Sequence, residues 1–374
     1  MTQKTSANIR QVLTRRCAAL GVPVSATFEL TPRCNLRCRM CYVRLTPEQM
    51  APIGRELTAS EWLDFAAQAK EAGLVFLLLT GGEPTLRPDF PEIYEGLSSM
   101  GLSISINTNG TLLTPQLRDL WHRLPPAQVN VTLYGLSRED YQAVCGDGNA
   151  FDRMEDALRW LKQEGILTHL NTTIIPENLQ RLRNMEDYAR QLGLELRVTS
   201  YCFPPSRRDP CTGFTRLTAE QAAEAAALDL LWREGSDVLC RRAKELSAPP
   251  QASCESDTGE QMQCLAAKSQ FWMTWNGIMT PCGMLPEPAV LPMDTDFSSA
   301  WTRLKDETSL IHLCPECTAC EYRSTCMHCA AVTYTETGRF DGKPEYMCRF
   351  ARAYRKALER LADQPPAQYE SQTV

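Results

Sequence analysis

The chain has 374 residues, 43% of them hydrophobic and 22% charged, with a net charge of −6. This is the composition of a globular protein with room for one large domain or two ordinary ones. No apolar run reaches membrane-span length, the first ten residues lack the apolar core of a signal peptide, and the mild negative charge argues against nucleic acid as the main partner, so a cytoplasmic protein without membrane contact is expected.

In chain order, residues 1–23 are helical in pattern over 9–20 and too few for a separate domain. Residues 24–30 alternate as a strand and lead into T-P-R-C-N-L-R-C-R-M-C-Y at 31–42. Thr58 and Glu61 make a capping box that opens a helix. Trp62, Phe65, Ala66, Ala69 and Ala72 give it helical spacing, and Gly73 closes it. Residues 75–80 are continuously apolar, as in a parallel strand covered on both faces, and run into Gly81-Gly82-Glu83-Pro84. A helix over 90–99 precedes a strand over 102–107 that ends in Thr108-Asn109-Gly110. The cycle repeats: helix 115–124 capped by Thr114, strand 129–133, helix 151–164 stopped by Gly165, strand 168–175, helix 179–192 capped by Asn178, strand 194–201.

Six strands alternating with helices predict an α/β fold with a parallel sheet. Six units fall short of the eight in a closed barrel, so an open, partial (β/α)6 TIM-type barrel is expected, its chemistry at the C-terminal ends of the strands. The cysteine loop, G-G-E-P, T-N-G, Tyr134-Gly135, Asn171–Thr173 and Tyr201-Cys202 all fall at those ends. Beyond them lie a Pro/Arg-rich loop (202–214), a helix (218–234) with a Thr218/Gln221 capping box, a polar irregular connector (236–263), and a cysteine-rich stretch that needs metal as a staple. The expected organisation is a helical segment 1–23, the barrel 24–235, the connector 236–263, a small cysteine-rich domain 264–350, and a C-terminal helix with a disordered tail 351–374.

There are seventeen cysteines. A disulfide scaffold is shorter and secreted; in a reducing compartment, clustered cysteines point to metal. Cys17, Cys145, Cys202, Cys211 and Cys240 stand apart from the clusters and read as small buried apolar residues. Cys34, Cys38 and Cys41 sit at C-x3-C-x2-C spacing. Three thiolates on one loop hold three corners of a [4Fe–4S] cube and leave one iron without a protein ligand, whereas structural zinc and ordinary cubanes take four. A zinc loop and half of a two-cluster ferredoxin motif are the alternatives on spacing alone.

Placed after a strand and followed by Tyr42, the triplet resembles the signature of the radical S-adenosylmethionine (SAM) enzymes. The resemblance implies a [4Fe–4S] cluster on Cys34, Cys38 and Cys41 whose open iron is chelated by SAM. Gly81-Gly82-Glu83 resembles the family's G-G-E motif, which implies a close backbone approach to SAM and a Glu83 carboxylate for its ammonium. Thr108-Asn109-Gly110 resembles the family's T-N-G run, Thr132 stands where relatives often carry a serine touching SAM, and Asn171 is a candidate ribose or carboxylate contact. Tyr134 stands where many relatives have aspartate, and Cys145-Gly146 where many have arginine-glycine, so the contact to the SAM carboxylate is assigned to no residue.

Cys264, Gly277-x4-Cys282, Cys317-x2-Cys320-x5-Cys326-x2-Cys329 and Cys348 resemble the SPASM domain, with two residues rather than three between Cys326 and Cys329. This implies two auxiliary [4Fe–4S] clusters. One uses Cys317, Cys320, Cys326 and Cys348. The other uses Cys264, Cys282 and Cys329, with Cys254 as first choice for its fourth ligand, Cys314 as second and an open iron as third. Paired C-x2-C spacings also read as zinc. Trp272 and Trp275 read as packing.

The resemblance further implies an oxidoreductase that cleaves SAM to a 5′-deoxyadenosyl radical and abstracts a hydrogen atom from a peptide or protein. The expected setting is maturation of a ribosomally synthesised peptide by cross-linking, oxidation or epimerisation. Cys202 is a candidate hydrogen-atom donor, and Tyr201, Arg207 and Arg208 are candidate substrate contacts. Expected partners are the peptide or protein substrate, a separate leader-recognition protein, and a flavodoxin or ferredoxin-type reductant. Alternatives are anaerobic sulfatase maturation, small-molecule dehydrogenation and, outside enzymes, an iron–sulfur electron carrier.

Overall fold

The structure, a computed structural model, describes residues 2–205, 213–247, 262, 264–327 and 329–363. It opens with α1 (Thr2–Leu20), β1 (Ser25–Glu29), α2 (Pro47–Met50), α3 (Ala59–Glu71) and β2 (Phe76–Thr80). There follow α4 (Phe90–Ser99), β3 (Ser103–Thr108), α5 (Pro115–Arg123), β4 (Gln128–Thr132), α6 (Arg138–Cys145) and α7 (Ala150–Gln163). Then come β5 (Thr168–Thr173), α8 (Leu182–Leu192), β6 (Glu195–Thr199), α9 (Ala219–Glu234) and α10 (Ser236–Ser247). The last part comprises β7 (Gln270–Met273), β8 (Met279–Thr280), α11 (Phe297–Ser309), α12 (Pro315–Thr318), α13 (Ala330–Thr337) and α14 (Glu345–Ala362).

The six expected strands lie side by side in the order β6-β5-β4-β3-β2-β1, every pair parallel. Alternate residues of a strand face opposite sides of the sheet. One set, including Phe28, Leu77, Leu79, Ile104, Ile106, Val129, Val131 and Leu170, is buried against the helices. Phe28 stacks on Trp62 of α3 at 5.0 Å and tilts against Phe65 at 5.5 Å. Each such side chain contributes about 1.5–3 kcal/mol through burial. The Thr58–Glu61 capping box is formed as the sequence predicts, and so is that of Thr218 and Gln221.

The sheet does not stop at six strands. β7, from the cysteine-rich stretch, pairs parallel with β1 on its free side, and β8 adds antiparallel to β7. Pairing with β1 hides an edge that would otherwise expose a row of unpaired backbone groups. Residues 236–247, read from sequence as irregular connector, form α10. Leu239, Ala243 and Leu246 place an apolar stripe at helical spacing, and it packs with Leu228 and Leu231 of α9 and Leu358 and Leu361 of α14. α6 also went unread. Ser137 caps its start by accepting from Asp140 N, and Gly146 ends it at φ 76°. Among the described residues, no helix is long and apolar enough to cross a membrane.

Candidate active site and cysteine sets

The loop after β1 is anchored before it reaches its first cysteine. Thr31 Oγ1 donates to Glu56, and the Arg33 guanidinium makes two hydrogen bonds to the same carboxylate, at 2.9 and 2.8 Å. Buried Arg87 donates to the carbonyls of Leu30 and Leu57, both at 2.8 Å, while its other edge grips Asp89. These three anchors (Arg33, Glu56 and Arg87) escaped the sequence reading, because no local pattern links positions so far apart.

Gly81 and Gly82 turn against this loop. A Cβ on Gly81 would lie 2.4 Å from Thr31 O, and one on Gly82 would lie 2.3 Å from Arg33 O. The close backbone approach that the sequence assigned to SAM is made here to the cysteine loop itself. Gly82 N and Glu83 N donate to Thr31 O and Arg33 O, at 2.7 and 2.9 Å.

Glu83 is fully buried. Its Oε1 accepts from Thr85 N, Thr85 Oγ1 and Thr108 Oγ1, and its Oε2 accepts from Asn109 N at 2.7 Å. Burial raises its pKa, and these donors to the carboxylate oppose the rise. The carboxylate therefore ties the loop after β2 to the loop after β3. Asn109 continues the chain of contacts: its amide donates to Asn35 Oδ1 at 2.9 Å and lies 3.8 Å from Cys34 Sγ. Thr132 and Asn171 are register partners on β4 and β5, both half-buried at the same C-terminal edge.

The thiols sit among donors. Leu36 N points at Cys34 Sγ at 3.4 Å and Arg44 N at Cys41 Sγ at 3.3 Å. Burial pushes the Cys34 thiol up to about 12. Cys38 lies near the Cys145 thiol and the Tyr134 hydroxyl, and the Cys145 neighbour, then desolvation, raises its pKa. Cys145, which the sequence treats as an isolated packing residue, is brought there by α6, whose last carbonyls accept from Arg37 N and Arg39 N at 2.9 and 3.1 Å.

In the cysteine-rich part, Cys317, Cys320, Cys326 and Cys348 line one cavity of about 240 Å³. Cys314 sits next to this set, and its carbonyl accepts from Cys317 N at 3.0 Å. Cys282 and Cys329 border a second apolar cluster that includes Met262, Ala266 and Leu285, and Cys264 interacts electrostatically with Cys329. Cys254, Cys211, Arg207 and Arg208 lie outside the described residues. Among the described residues no three Cys, His, Asp or Glu side chains are drawn into a ready-made metal site. The fit to iron–sulfur clusters rests on the backbone N–H groups aimed at the Cys34 and Cys41 sulfurs and on the four-cysteine cavity.

Cys202 is buried at 4% exposure, 3.8 Å from Ile174 O, and burial pushes its thiol up to about 12. Tyr201 donates to Glu336 Oε1 at 2.7 Å, and Arg216 pairs with the same carboxylate at 2.6 Å. This joins the end of the barrel to α13.

A family profile described as "Radical SAM superfamily" matches residues 28–189. An AdoMet-dependent heme synthase of Methanosarcina barkeri is 26% identical over 86% of this chain and 95% of its own length. A PqqA peptide cyclase of Streptomyces rochei is 31% identical over 49% of this chain and 50% of its own. Among solved structures, Streptococcus suis SuiB bound to S-adenosylmethionine superposes with a TM-score of 0.67 at 15% identity, over 87% of this chain and 77% of that one. SuiB bound to the precursor peptide SuiA gives 0.65 at 16% identity, over 92% and 80%. The fold is thus that of these solved structures, and residues 28–189 of the chain match the radical SAM superfamily.

Proposed function

We propose that this radical SAM enzyme modifies a peptide or protein, most directly in the maturation of a ribosomally synthesised peptide. When bound, the [4Fe–4S] cluster and SAM supply a 5′-deoxyadenosyl radical that removes a hydrogen atom from a substrate C–H bond. Cys34, Cys38 and Cys41 would hold that cluster. The Glu83–Asn109–Asn35 network keeps the three loops around it in register. Two auxiliary clusters on the two SPASM-like cysteine sets belong to this proposal, as do a small reductant protein and a separate leader-recognition protein.

The observation that carries the reading is the polar face of the parallel strands. Opposite the helix-covered face, the strands present Thr27, Glu29, Thr80, Ser105, Asn107, Asn130, Thr132, His169, Asn171 and Thr173, with an amide ladder in which Asn130 donates to Asn107 Oδ1 at 2.8 Å. Most of these side chains are neutral donors and acceptors, which match the alternating N–H and C=O groups of a peptide backbone, while the Glu29 carboxylate accepts from Trp272 Nε1. On the same face of β6, Arg197 is paired with Glu195.

A second reading is favoured by the whole-length similarity to heme synthases: a haem precursor as substrate. Its carboxylates would call for free cations on the polar face. The test is deuterium transfer into 5′-deoxyadenosine, with labelled precursor peptides and a labelled haem precursor compared side by side. Transfer from a peptide supports the first reading. Transfer from the haem precursor alone rejects it in favour of the second.

A further inference from the structure

α1 turns its apolar side outward. Its packed side is polar: the Arg10 guanidinium lies over the Phe76 ring at 4.7 Å, and Thr14 is 5% exposed and donates to Arg10 O at 2.7 Å. At about 100° per residue, Val12, Leu13 and Leu20 fall together on another side of the helix. There they are 51%, 43% and 77% exposed, and Arg15 and Arg16 beside them are exposed too. Lone exposed apolar side chains are ordinary, but three on one stripe of a helix whose packed side is polar mark a contact surface. In a chain of net charge −6, α1 carries Lys4, Arg10, Arg15 and Arg16 and no carboxylate. A surface of the opposite kind is joined to it. Residues 287–296 carry Glu287, Asp294 and Asp296 and no cation, with Leu291 50% and Met293 40% exposed. They lead into α11, on which the end of α1 rests: Trp301 Nε1 donates to Gly21 O at 2.8 Å. Among the described residues, no acid pairs with Arg15 or Arg16 and no base with Glu287 or Asp294.

We propose that α1 and residues 287–296 form the interface of a two-fold dimer of this chain, with α1 of each copy seated on residues 287–296 of the other. A two-fold axis makes every contact twice, so two complementary patches on one chain satisfy each other in both directions. Leu291 and Met293 meet Val12, Leu13 and Leu20 at the centre, and the carboxylates meet Arg15 and Arg16 at the rim. Pairing of α1 with α1 is disfavoured, because it sets cations against cations. A membrane surface fits less well, because the stripe holds no Trp or Phe. The inference depends on neither the clusters nor the substrate.

The experiment is sedimentation velocity on the full chain, iron–sulfur reconstituted and kept anaerobic and reduced so that no disulfide links two copies. One variant is Arg15→Glu/Arg16→Glu and the other Glu287→Lys/Asp294→Lys. Asp296 is kept because it caps α11 by accepting from Ser299 N. All four substituted positions are exposed, and melting curves like that of the wild type show that both variants fold. The expected result is a wild type at twice the chain mass whose association weakens as salt rises. Each variant alone associates about a hundredfold more weakly, because like charges then face each other. An equimolar mixture of the two variants recovers the dimer, since α1 and residues 287–296 are again opposite in charge at both contacts. A monomeric wild type overturns the proposal, and one that binds phosphatidylserine vesicles does so in favour of a membrane surface. A dimer that either variant leaves unchanged overturns it as well, and so does a mixture that stays monomeric although both variants fold.

Discussion

Trp272 Nε1 donates to Glu29 Oε2 at 3.1 Å, joining residues 243 positions apart at the seam where β7 meets β1. Glu29 is 1% exposed and ends the strand that feeds the cysteine loop. The cysteine-rich part is thus built into the sheet beside the site. Trp272→Phe keeps a ring against Gly283 but removes a donor from a buried carboxylate. The expected cost is about 1–3 kcal/mol, seen as a lower denaturation midpoint. An unchanged midpoint would mean the carboxylate is satisfied without the indole.

Gly82→Ala tests whether the G-G-E turn shapes the cysteine loop. The added Cβ meets the backbone of Arg33, which cannot swing aside as a flexible side chain would. With the three clusters proposed above, the expected outcome is loss of one, from about twelve irons per chain to about eight. Full iron loading in Gly82→Ala would contradict it.

Glu83→Gln tests the same network from the other side. Four donors converge on the carboxylate, and an amide would set its own N–H₂ against at least one of them. Glu83→Gln should destabilise the fold by about 2 kcal/mol and loosen the loop after β3, read by hydrogen exchange at Asn109 and Gly110.

A pH dependence is expected far from the cysteines. Glu186 of α8 and Asp229 of α9 are neighbouring carboxyls, with Arg190 and Arg233 near the pair and Glu234 near Asp229. Burial, then the Asp229 neighbour, pushes Glu186 up to about 8. The folded state keeps a proton that the unfolded chain has released above its ordinary value of 4.5, so stability falls as pH rises from about 4.5 to about 8. Melting temperature should decline across that window in the wild type and stay flatter in Glu186→Gln.

The strands and the C-terminal location of the site were legible because local patterns carry them: six parallel strands, their capping residues, and loops with cysteine or glycine at fixed spacing. What escaped was non-local. Nothing around Gln270–Met273 announces pairing with a strand some 240 residues earlier. Cys145 looks like any buried thiol until α6 brings it to Cys38. Glu83 reads as a ligand group in sequence, yet its burial and four donors show a second task in holding two loops together. The α10 stripe of Leu239, Ala243 and Leu246 was legible and went unread, outweighed by the polar residues around it.

The most direct test of the account is 5′-deoxyadenosine formation. Reconstituted protein is incubated anaerobically with dithionite, SAM and candidate precursor peptides, and wild type is compared with the Cys34/Cys38/Cys41→Ala triple variant. The account predicts 5′-deoxyadenosine from the wild type and none from the variant. Equal amounts from both, or none from a fully iron-loaded wild type supplied with peptides and a haem precursor, would contradict it.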